Sequence, residues 1–342
     1  MIAVAIVVLV LAAAAAYIAF GGPRLSAETR RVIEEVVAQQ TVSVVRGRSG
    51  HASSGSIRLW YEDMAPAQAP EVGTVLLLMS MGGDALMWPR RFIDSLLAAG
   101  FRVVRYDQRG TGLSDWMKEW TRERAYSLTD LADDARAILD HLGIARAHVC
   151  GLSLGGMVAQ ELAIAHPGRV ASLVLVSTSP DVTDESLPTM KAGDLLVTAW
   201  RSLPLLRYRL AGGEKNLVKE RVAKVALVQP DPPPEDVRDL AEHVIYDLRC
   251  RRGVHLSSVL QHQAAATVSR RRSSLLVDLR VPTLVIHGEA DPIFPVEHGR
   301  RLAELIPSAK TLLLPDAGHV LLYPPMPVVV DAILDHLRTS AS

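Results

Sequence analysis

A serine between closely spaced glycines is the most informative chemical feature of the sequence. Residues 151–156 read Gly-Leu-Ser-Leu-Gly-Gly, after an apolar run over 147–150 and before a helical pattern over 154–166. Where a strand passes into a helix within one residue, this G-x-S-x-G pattern holds the serine hydroxyl out of a strained turn, and the glycines remove colliding side chains. The helix dipole favours negative charge there. We therefore predict that Ser153 is a nucleophile.

A serine hydroxyl is a weak nucleophile until a base takes its proton. His319 follows a predicted strand over 311–314, and Asp291 follows a predicted strand over 283–287. The carboxyl ends of parallel strands meet at one edge of a sheet, and the order serine, acid, histidine is one that such hydrolytic sites use. We predict His319 as the base and Asp291 as the acid that orients its imidazole.

Other polar residues near these strand ends are weaker candidates. Asp181 is the fallback acid, and Glu289 is a weaker alternative. His287 ends a predicted buried strand and is expected to be structural. The two cysteines, Cys150 and Cys250, are too few for a disulfide framework, so the redox compartment stays open. Cys150 is predicted to be a small buried side chain that points away from the turn.

The developing negative charge of an acyl-transfer reaction needs two backbone N–H donors. Leu154, the residue after the nucleophile, is predicted to supply one of them. Residues 80–84, Ser-Met-Gly-Gly-Asp, follow another predicted strand, and their glycines let the backbone turn its amides inward. Met81 is the donor predicted in this loop.

Short runs rich in branched apolar residues alternate with helical patterns from Thr41 onward. The predicted strands are 57–61, 74–79, 101–106, 147–150, 171–177, 283–287 and 311–314, and the predicted helices are 88–99, 129–142, 154–166, 298–305 and 327–337. Residues 127–130, Ser-Leu-Thr-Asp, have the form of a capping box. This alternation predicts an α/β fold with a mostly parallel sheet covered by helices on both faces.

The stretch between the sixth and seventh of these strands shows helical patterns without a convincing core strand. We predict a helical lid over 181–278 and a core over 46–180 and 279–342. Trp200 and Leu203 are expected to contribute to an apolar pocket. The arginines at 270–272 are expected to form a solvated face.

The first twenty residues contain no charged side chain. A helix of this length spans roughly 30 Å, about the thickness of a bilayer core. We predict a membrane anchor over 1–22 with a lean towards the cytoplasmic face, the alternative being a cleaved signal peptide and a secreted or periplasmic protein. Residues 23–45 form an amphipathic connector, either at the membrane surface or packed on the globular part.

Bulk charge excludes nucleic acid as a partner, because 37 basic side chains balance 37 acidic ones. The histidines and cysteines lack metal-ligand spacing, and no phosphate-binding or dinucleotide fingerprint is present, so no cofactor or metal is expected.

Residues 107–114, Asp-Gln-Arg-Gly-Thr-Gly-Leu-Ser, resemble the D-x-R-G-x-G-x-S loop of α/β-hydrolases. The glycine-flanked serine, the Asp-Pro at 291–292 and the Gly-His at 318–319 match that family in order and spacing. Residues 79–83 with Trp-Pro at 88–89 are similar to the aclacinomycin methylesterase-like branch of carboxylesterases. The sequence departs from many members at 79–80, where Met-Ser replaces His-Gly.

The resemblance implies an α/β-hydrolase fold and a serine hydrolase without a cofactor. Members with an aspartate nucleophile are disfavoured because Ser153 occupies that position. The expected reaction is hydrolysis of a carboxylic ester of a small molecule through an acyl-serine intermediate, and the predicted membrane anchor favours a lipophilic substrate. Two alternatives stay open: the same triad acting on a C–C or amide bond or in acyl transfer, and a ligand receptor without catalysis.

Overall fold

One eight-stranded sheet organises most of the chain in the computed structural model. The structure describes residues 2–117, 119–227, 231–251, 253, 255–319 and 326–340, with the backbone alone at 2–7, 10, 194, 195 and 326. In chain order the strands are β1 (Arg48–Ser54), β2 (Ile57–Met64), β3 (Gly73–Leu78), β4 (Phe101–Tyr106), β5 (Ala147–Leu152), β6 (Val170–Val176), β7 (Thr283–Gly288) and β8 (Ala309–Leu314). Their spatial order is β1-β2-β4-β3-β5-β6-β7-β8. Strand β2 pairs antiparallel with β1 and β4, and the pairs from β4 to β8 are parallel.

The α-helices of the described residues follow the alternation that the sequence predicts. In chain order they are α1 (Ile2–Phe20), α2 (Ala27–Val37), α3 (Arg90–Ala98), α4 (Leu128–His141), α5 (Leu154–Ala165), α6 (Ala192–Ser202), α7 (Leu206–Ala211), α8 (Glu214–Ala226), α9 (Pro234–Cys250), α10 (Leu256–Val268), α11 (Ser273–Leu276), α12 (Glu297–Leu305) and α13 (Met326–Thr339). The capping box predicted before α4 is present, because Ser127 and Asp130 each bond the other's backbone N–H. The predicted α/β architecture, a mostly parallel sheet combined with helices, is confirmed.

The chain divides into two compact units. The larger unit, Val45–Thr189 with Arg251–Ser342, contains the whole sheet. Alternate residues of β3 belong to two separate apolar clusters: Leu76 and Leu78 pack with α4 and α5, whereas Val75 and Leu77 pack with α3 and α13. Because both faces are covered, the central strands are mostly apolar, as their sequences indicate.

The smaller unit, Met1–Val44 with Met190–Cys250, is helical. Its helix α2 packs against α8 and α9. Val32, Ile33 and Val36 on one face of α2 are almost fully buried. The opposite face forms exposed ion pairs, such as Glu34 with Lys215 at 2.7 Å. This amphipathic helix is therefore part of a helical core.

The predicted membrane anchor over 1–22 is wrong. Within the part of the chain that the structure describes, no helix combines the length and the apolar character that crossing a membrane requires. The end of α1 contacts other helices of the smaller unit: the Tyr17 ring stacks on Trp200 with centroids 4.6 Å apart, and Arg207 donates to the Gly21 carbonyl at 2.5 Å. Membrane contact through residues 1–20 and a membrane location are withdrawn with the anchor, and Met1 lies outside the described residues.

The stretch predicted as a lid, 181–278, contains helices α6 to α11. Residues 190–250 belong to the smaller unit, together with the N-terminal segment. Residues 251–278 belong to the larger unit, which contains the sheet. A lid role, and a pocket lined by Trp200 and Leu203, stay predictions. The expected solvated face at 270–272 is wrong for Arg272, which is 1% exposed.

Candidate active site

Ser153 lies in the turn between β5 and α5, with φ of 55° and ψ of −116°. A side chain at positive φ costs about 1–3 kcal/mol, so neighbouring contacts must hold it there. The Ser153 N–H donates to the Val176 carbonyl at 2.8 Å, and the Thr178 hydroxyl donates to the Ser153 carbonyl at 2.7 Å. The turn is therefore fixed from β6. Sequence reasoning missed Thr178, because no motif links a strand-end threonine to a nucleophile 25 residues earlier.

The glycines beside Ser153 are required by close backbone contacts. A Cβ at Gly151 would lie 2.3 Å from the Gly155 carbonyl oxygen, and a Cβ at Gly155 would lie 2.1 Å from the Leu78 carbonyl oxygen. Real Cβ atoms do not approach backbone so closely. The glycine spacing thus lets the start of α5 lie directly against the end of β3.

Three side chains from different strand ends form one chain of hydrogen bonds. His319 Nε2 lies 3.1 Å from Ser153 Oγ, and His319 Nδ1 lies 2.7 Å from Asp291 Oδ2. Because a carboxylate only accepts, Nδ1 carries the hydrogen, and Nε2 is left as the acceptor for the serine proton. Ser153 is 7% exposed and Asp291 is 4% exposed. The predicted nucleophile, base and acid are thus in direct contact.

The loop that carries Asp291 is ordered by its own backbone. Asp291 Oδ1 accepts from the N–H groups of Ile293 and Phe294 at 2.8 and 3.0 Å. His287 Nε2 donates to the Phe294 carbonyl at 2.7 Å and lies 3.5 Å from Asp291 Oδ2. Burial lowers the pKa of His287, which keeps its ring neutral. His287 therefore supports the acid loop.

The weaker candidates have other partners. Asp181 accepts from the N–H and the hydroxyl of Thr183, at 2.8 and 2.7 Å. Glu289 pairs with Arg300 at 3.3 Å. Cys150 is fully buried, and burial raises the pKa of its thiol to about 12, so the reactive thiolate is absent near neutral pH.

The two predicted backbone donors lie at neighbouring points of the sheet edge. Leu154 begins α5, so its N–H has no acceptor within the helix. Met81 is the second residue of a turn that Gly83 N–H closes by donating to the Ser80 carbonyl at 3.1 Å. A trans peptide places its C=O and N–H on opposite sides, so the Met81 N–H points away from this closing bond. Among the hydrogen bonds of the described residues, none is donated by either amide, and their role as oxyanion donors stays a prediction.

The loop over 107–114 braces this edge. Asp107 is fully buried and accepts from the N–H groups of Ala85 and Leu113, at 2.9 and 2.8 Å. Burial raises its pKa, and the charge of Arg251, its ion-pair partner, opposes that rise. Arg109 makes two hydrogen bonds of 2.6 Å to the Asp134 carboxylate on α4. These buried pairs fix the loop as a scaffold.

The described residues of the site form no group of metal ligands. Over the described residues, no set of three or more histidine, cysteine, aspartate or glutamate side chains is placed to hold a metal ion. Both ring nitrogens of His319 are engaged by Asp291 and Ser153. The arrangement is suited to moving a proton between a hydroxyl and an imidazole.

Comparison with known proteins gives one consistent assignment. The family described as the α/β hydrolase fold matches residues 73–324. Rhodomycin D methylesterase DauP of Streptomyces sp. (strain C5) is 30% identical over 83% of this chain and 96% of its own length. DnrP of Streptomyces peucetius, also a rhodomycin D methylesterase, is 30% identical over 84% of this chain and 97% of its own length. The predicted resemblance to a methylesterase branch is confirmed.

A solved structure agrees in fold. The meta-cleavage product hydrolase CumD from Pseudomonas fluorescens IP01 aligns with a TM-score of 0.62 at 21% identity, covering 87% of this chain and all of that one. At this identity the likeness concerns the fold alone. Family match, relatives and fold agree, and the chain belongs to the α/β-hydrolase fold family.

Proposed function

We propose that the protein hydrolyses a carboxylic ester of a small molecule through an acyl-serine intermediate. The observation that supports this most is the hydrogen-bond chain from Ser153 Oγ through His319 to Asp291. That chain supplies a nucleophile, the base that activates it and the acid that fixes the base's tautomer.

In the proposed reaction, Ser153 Oγ attacks the ester carbonyl while its proton passes to His319 Nε2. The Leu154 and Met81 amides stabilise the negative charge on the carbonyl oxygen. When the intermediate collapses, the alkoxide leaves and takes the proton from His319. Water then attacks the acyl-serine by the same route, releasing the acid and restoring Ser153.

An ester is preferred over a C–C or amide bond because the relatives named above are methylesterases. They support an enzyme that hydrolyses carboxylic esters. The expectation of a lipophilic substrate rested on the membrane anchor and loses its basis with it. Contact between nucleophile and base favours turnover over a receptor role.

The test uses p-nitrophenyl esters of graded acyl length, from acetate to octanoate, together with a fluorophosphonate probe. We expect p-nitrophenol release and covalent labelling of Ser153, located by mass spectrometry of the labelled peptide. Ser153→Ala should lower kcat by about 10⁴-fold or more. Ser186→Ala, at an exposed serine, is the matched control and should be unchanged.

The outcomes separate the alternatives. Labelling of Ser153 without turnover of any ester would contradict ester hydrolysis and favour another bond or a receptor. If the probe left Ser153 unlabelled in folded protein, the proposed nucleophile itself would be wrong.

A further inference from the structure

Helix α10 places a fully buried histidine between two backbone segments at the sheet edge. His262 Nδ1 lies 3.0 Å from the Gly82 nitrogen, and His262 Nε2 lies 3.0 Å from the Arg109 carbonyl oxygen. An N–H only donates and a carbonyl only accepts, so Nδ1 is unprotonated and Nε2 carries the hydrogen. Burial lowers the pKa of His262 to about 4, which keeps the ring neutral near pH 7. The contacts therefore select one neutral tautomer.

The histidine contacts the turn that carries the proposed Met81 donor. In this turn, Ser80 to Gly83, the third residue Gly82 has φ of 68°, which is typical of type II. Conversion to type I would turn over the Met81–Gly82 peptide and exchange the sides on which its N–H and C=O lie. The Met81 carbonyl oxygen would then face His262 Nδ1. Two hydrogen-bond acceptors would lie against each other in the protein interior, which is unfavourable. His262 thus favours one of the two turn types. The Met81 N–H belongs to the preceding Ser80–Met81 peptide, so His262 fixes the type and the position of the turn, and not the direction of that N–H itself.

The ring is itself held in place. On the same helix, Ser258 Oγ donates to the Gly110 carbonyl at 2.5 Å, and Gln261 donates to the Met117 carbonyl at 3.2 Å. Val259 lies close to the turn, because a Cβ added to Gly82 would be 2.6 Å from the Val259 side chain. Helix α10 is therefore fastened to the loop after β4 and pressed against the turn, and His262 cannot easily move away.

We propose that His262 is a positioning residue: by accepting the Gly82 N–H, it anchors the Ser80–Gly83 turn, and with it the Met81 amide, at the position from which that amide reaches the developing oxyanion. This inference rests on the ester hydrolysis proposed above. Removing one oxyanion donor costs about 10²–10³-fold in kcat in a serine hydrolase, because the donor must lie within hydrogen-bond distance of the charged oxygen. Without this anchor the turn is free to shift, and the Met81 amide should lose a large part of that stabilisation.

Two substitutions separate the accepting nitrogen from the donating one. His262→Asn leaves an amide oxygen near the position of Nδ1, whereas His262→Gln leaves an amide nitrogen near Nε2 and no acceptor at the nearer position. We expect His262→Gln to lower kcat for p-nitrophenyl acetate by roughly 10²-fold, with KM little changed. We expect His262→Asn to restore most of kcat. His262→Leu serves as a second variant without an acceptor if the Gln variant does not fold.

Matched controls come from a second buried histidine. His148 on β5 is 3% exposed and bonds Ser172 Oγ at 2.8 Å. Its Asn and Gln variants lose a similar buried ring, so they should lower the melting temperature without separating kcat from each other. A merely structural His262 would behave in the same way, with its Asn and Gln variants equally impaired or equally active, and either result would overturn the inference.

The role of His262 can also be measured without turnover, from the affinity of a trifluoromethyl ketone. This inhibitor forms a tetrahedral oxyanion adduct with a nucleophilic serine. Its Kd should rise in His262→Gln and His262→Leu in parallel with the fall in kcat, but not in His262→Asn. Failure of the proposed function would appear in the wild-type protein, as ketone binding without ester turnover. The Kd values of the variants would still decide the role of His262.

Discussion

Among the individual residues, the two carboxylate oxygens of Asp291 have different partners, and this difference makes its role testable. Oδ1 accepts from two backbone N–H groups, and Oδ2 accepts from His319 Nδ1. In Asp291→Asn the amide oxygen should take the Oδ1 position, since only an acceptor fits there. The amide nitrogen then faces His319 and stabilises the wrong tautomer. We expect kcat for p-nitrophenyl acetate to fall by about 10⁴-fold with the fold intact.

The control for this substitution is Asp181→Asn. Asp181 also accepts from a backbone N–H two residues ahead, but it has no contact with His319 among those the structure describes. Activity should stay within a factor of about two of wild type. A large loss in Asp181→Asn with activity retained in Asp291→Asn would contradict the assignment of Asp291 and return Asp181 as the acid.

Residue types and spacing predict the nucleophile, base and acid, because a motif and its order along the chain carry that information. Thr178 and His262 could not be found in this way. Their hydrogen bonds join residues 25 and 180 positions apart, and they depend on which strand end and which helix face meet in three dimensions. A threonine after a strand and a histidine within a helix are ordinary features of a sequence.

For the secondary-structure elements, the strand–turn–helix unit around Ser153 depends on backbone contact with a neighbouring strand. A Cβ at Gly155 would lie 2.1 Å from the Leu78 carbonyl oxygen, and no flexible side chain can move aside to relieve that contact. We expect Gly155→Ala to destabilise the protein by about 3 kcal/mol or more and to lower kcat through displacement of α5. Urea unfolding and p-nitrophenyl acetate hydrolysis measure the two effects.

Gly168→Ala is the matched control, because a Cβ there would meet no atom within 4 Å. Its free energy of unfolding should change by less than about 0.5 kcal/mol. Similar stability of the two alanine variants would mean that α5 does not lie against β3 as closely as the contacts indicate.

The edge of the sheet shows why one strand escaped prediction. Strand β1 reads Arg-Ser-Gly-His-Ala-Ser-Ser, with Ala52 as its buried residue. It pairs with β2 in register through a turn at Gly55, whose φ is 56°. An edge strand has a partner on one side alone and needs no apolar run, so hydrophobic patterning cannot separate it from a polar loop. The central strands are buried on both faces and are therefore readable from sequence.

For the whole molecule, the N-terminal segment is an integral part of the smaller unit. Ile33 on α2 is fully buried, and α2 packs on α8 and α9. We expect Ile33→Ala to lower the free energy of unfolding by about 2–4 kcal/mol through the cavity it leaves. Arg31→Ala, at an exposed position of the same helix, should change it by less than about 0.5 kcal/mol. Thermal and urea unfolding compare the two.

An Ile33→Ala variant as stable as Arg31→Ala would contradict this packing. The apolar composition at the start of the chain suggested a membrane partner because composition alone does not say what covers an apolar surface. The Tyr17 ring stacks on Trp200 of α6, so another helix of the same chain covers part of that surface.

Acid sensitivity is a second property of the whole fold, since it depends on which histidines are buried neutral. His148 and His262 both have their pKa lowered to about 4, first of all by burial. The unfolded chain takes up a proton at each ring as the pH falls through about 6.5, whereas the folded protein does so near pH 4. The stabilisation from each ring is therefore complete above about pH 6.5 and is lost as the pH falls towards 4.

His148→Gln isolates one of these contributions without touching the proposed active site. Between pH 7.5 and 4.5 the wild-type free energy of unfolding should fall more steeply than that of the variant, by at most about 3 kcal/mol over the range. The contributions of the carboxylates to the pH dependence cancel in this comparison, because both proteins contain them. The lowered pKa of Asp63 changes the free energy of unfolding mainly below pH 3.8, and the raised pKa of Asp107 changes it with the opposite sign. His51→Gln, at an exposed ring, controls for the loss of a histidine. Parallel pH profiles for wild type and His148→Gln would mean that the His148 ring is already charged in the folded protein. A charged ring at this position would contradict the burial of β5, on which the sheet and the turn at Ser153 depend.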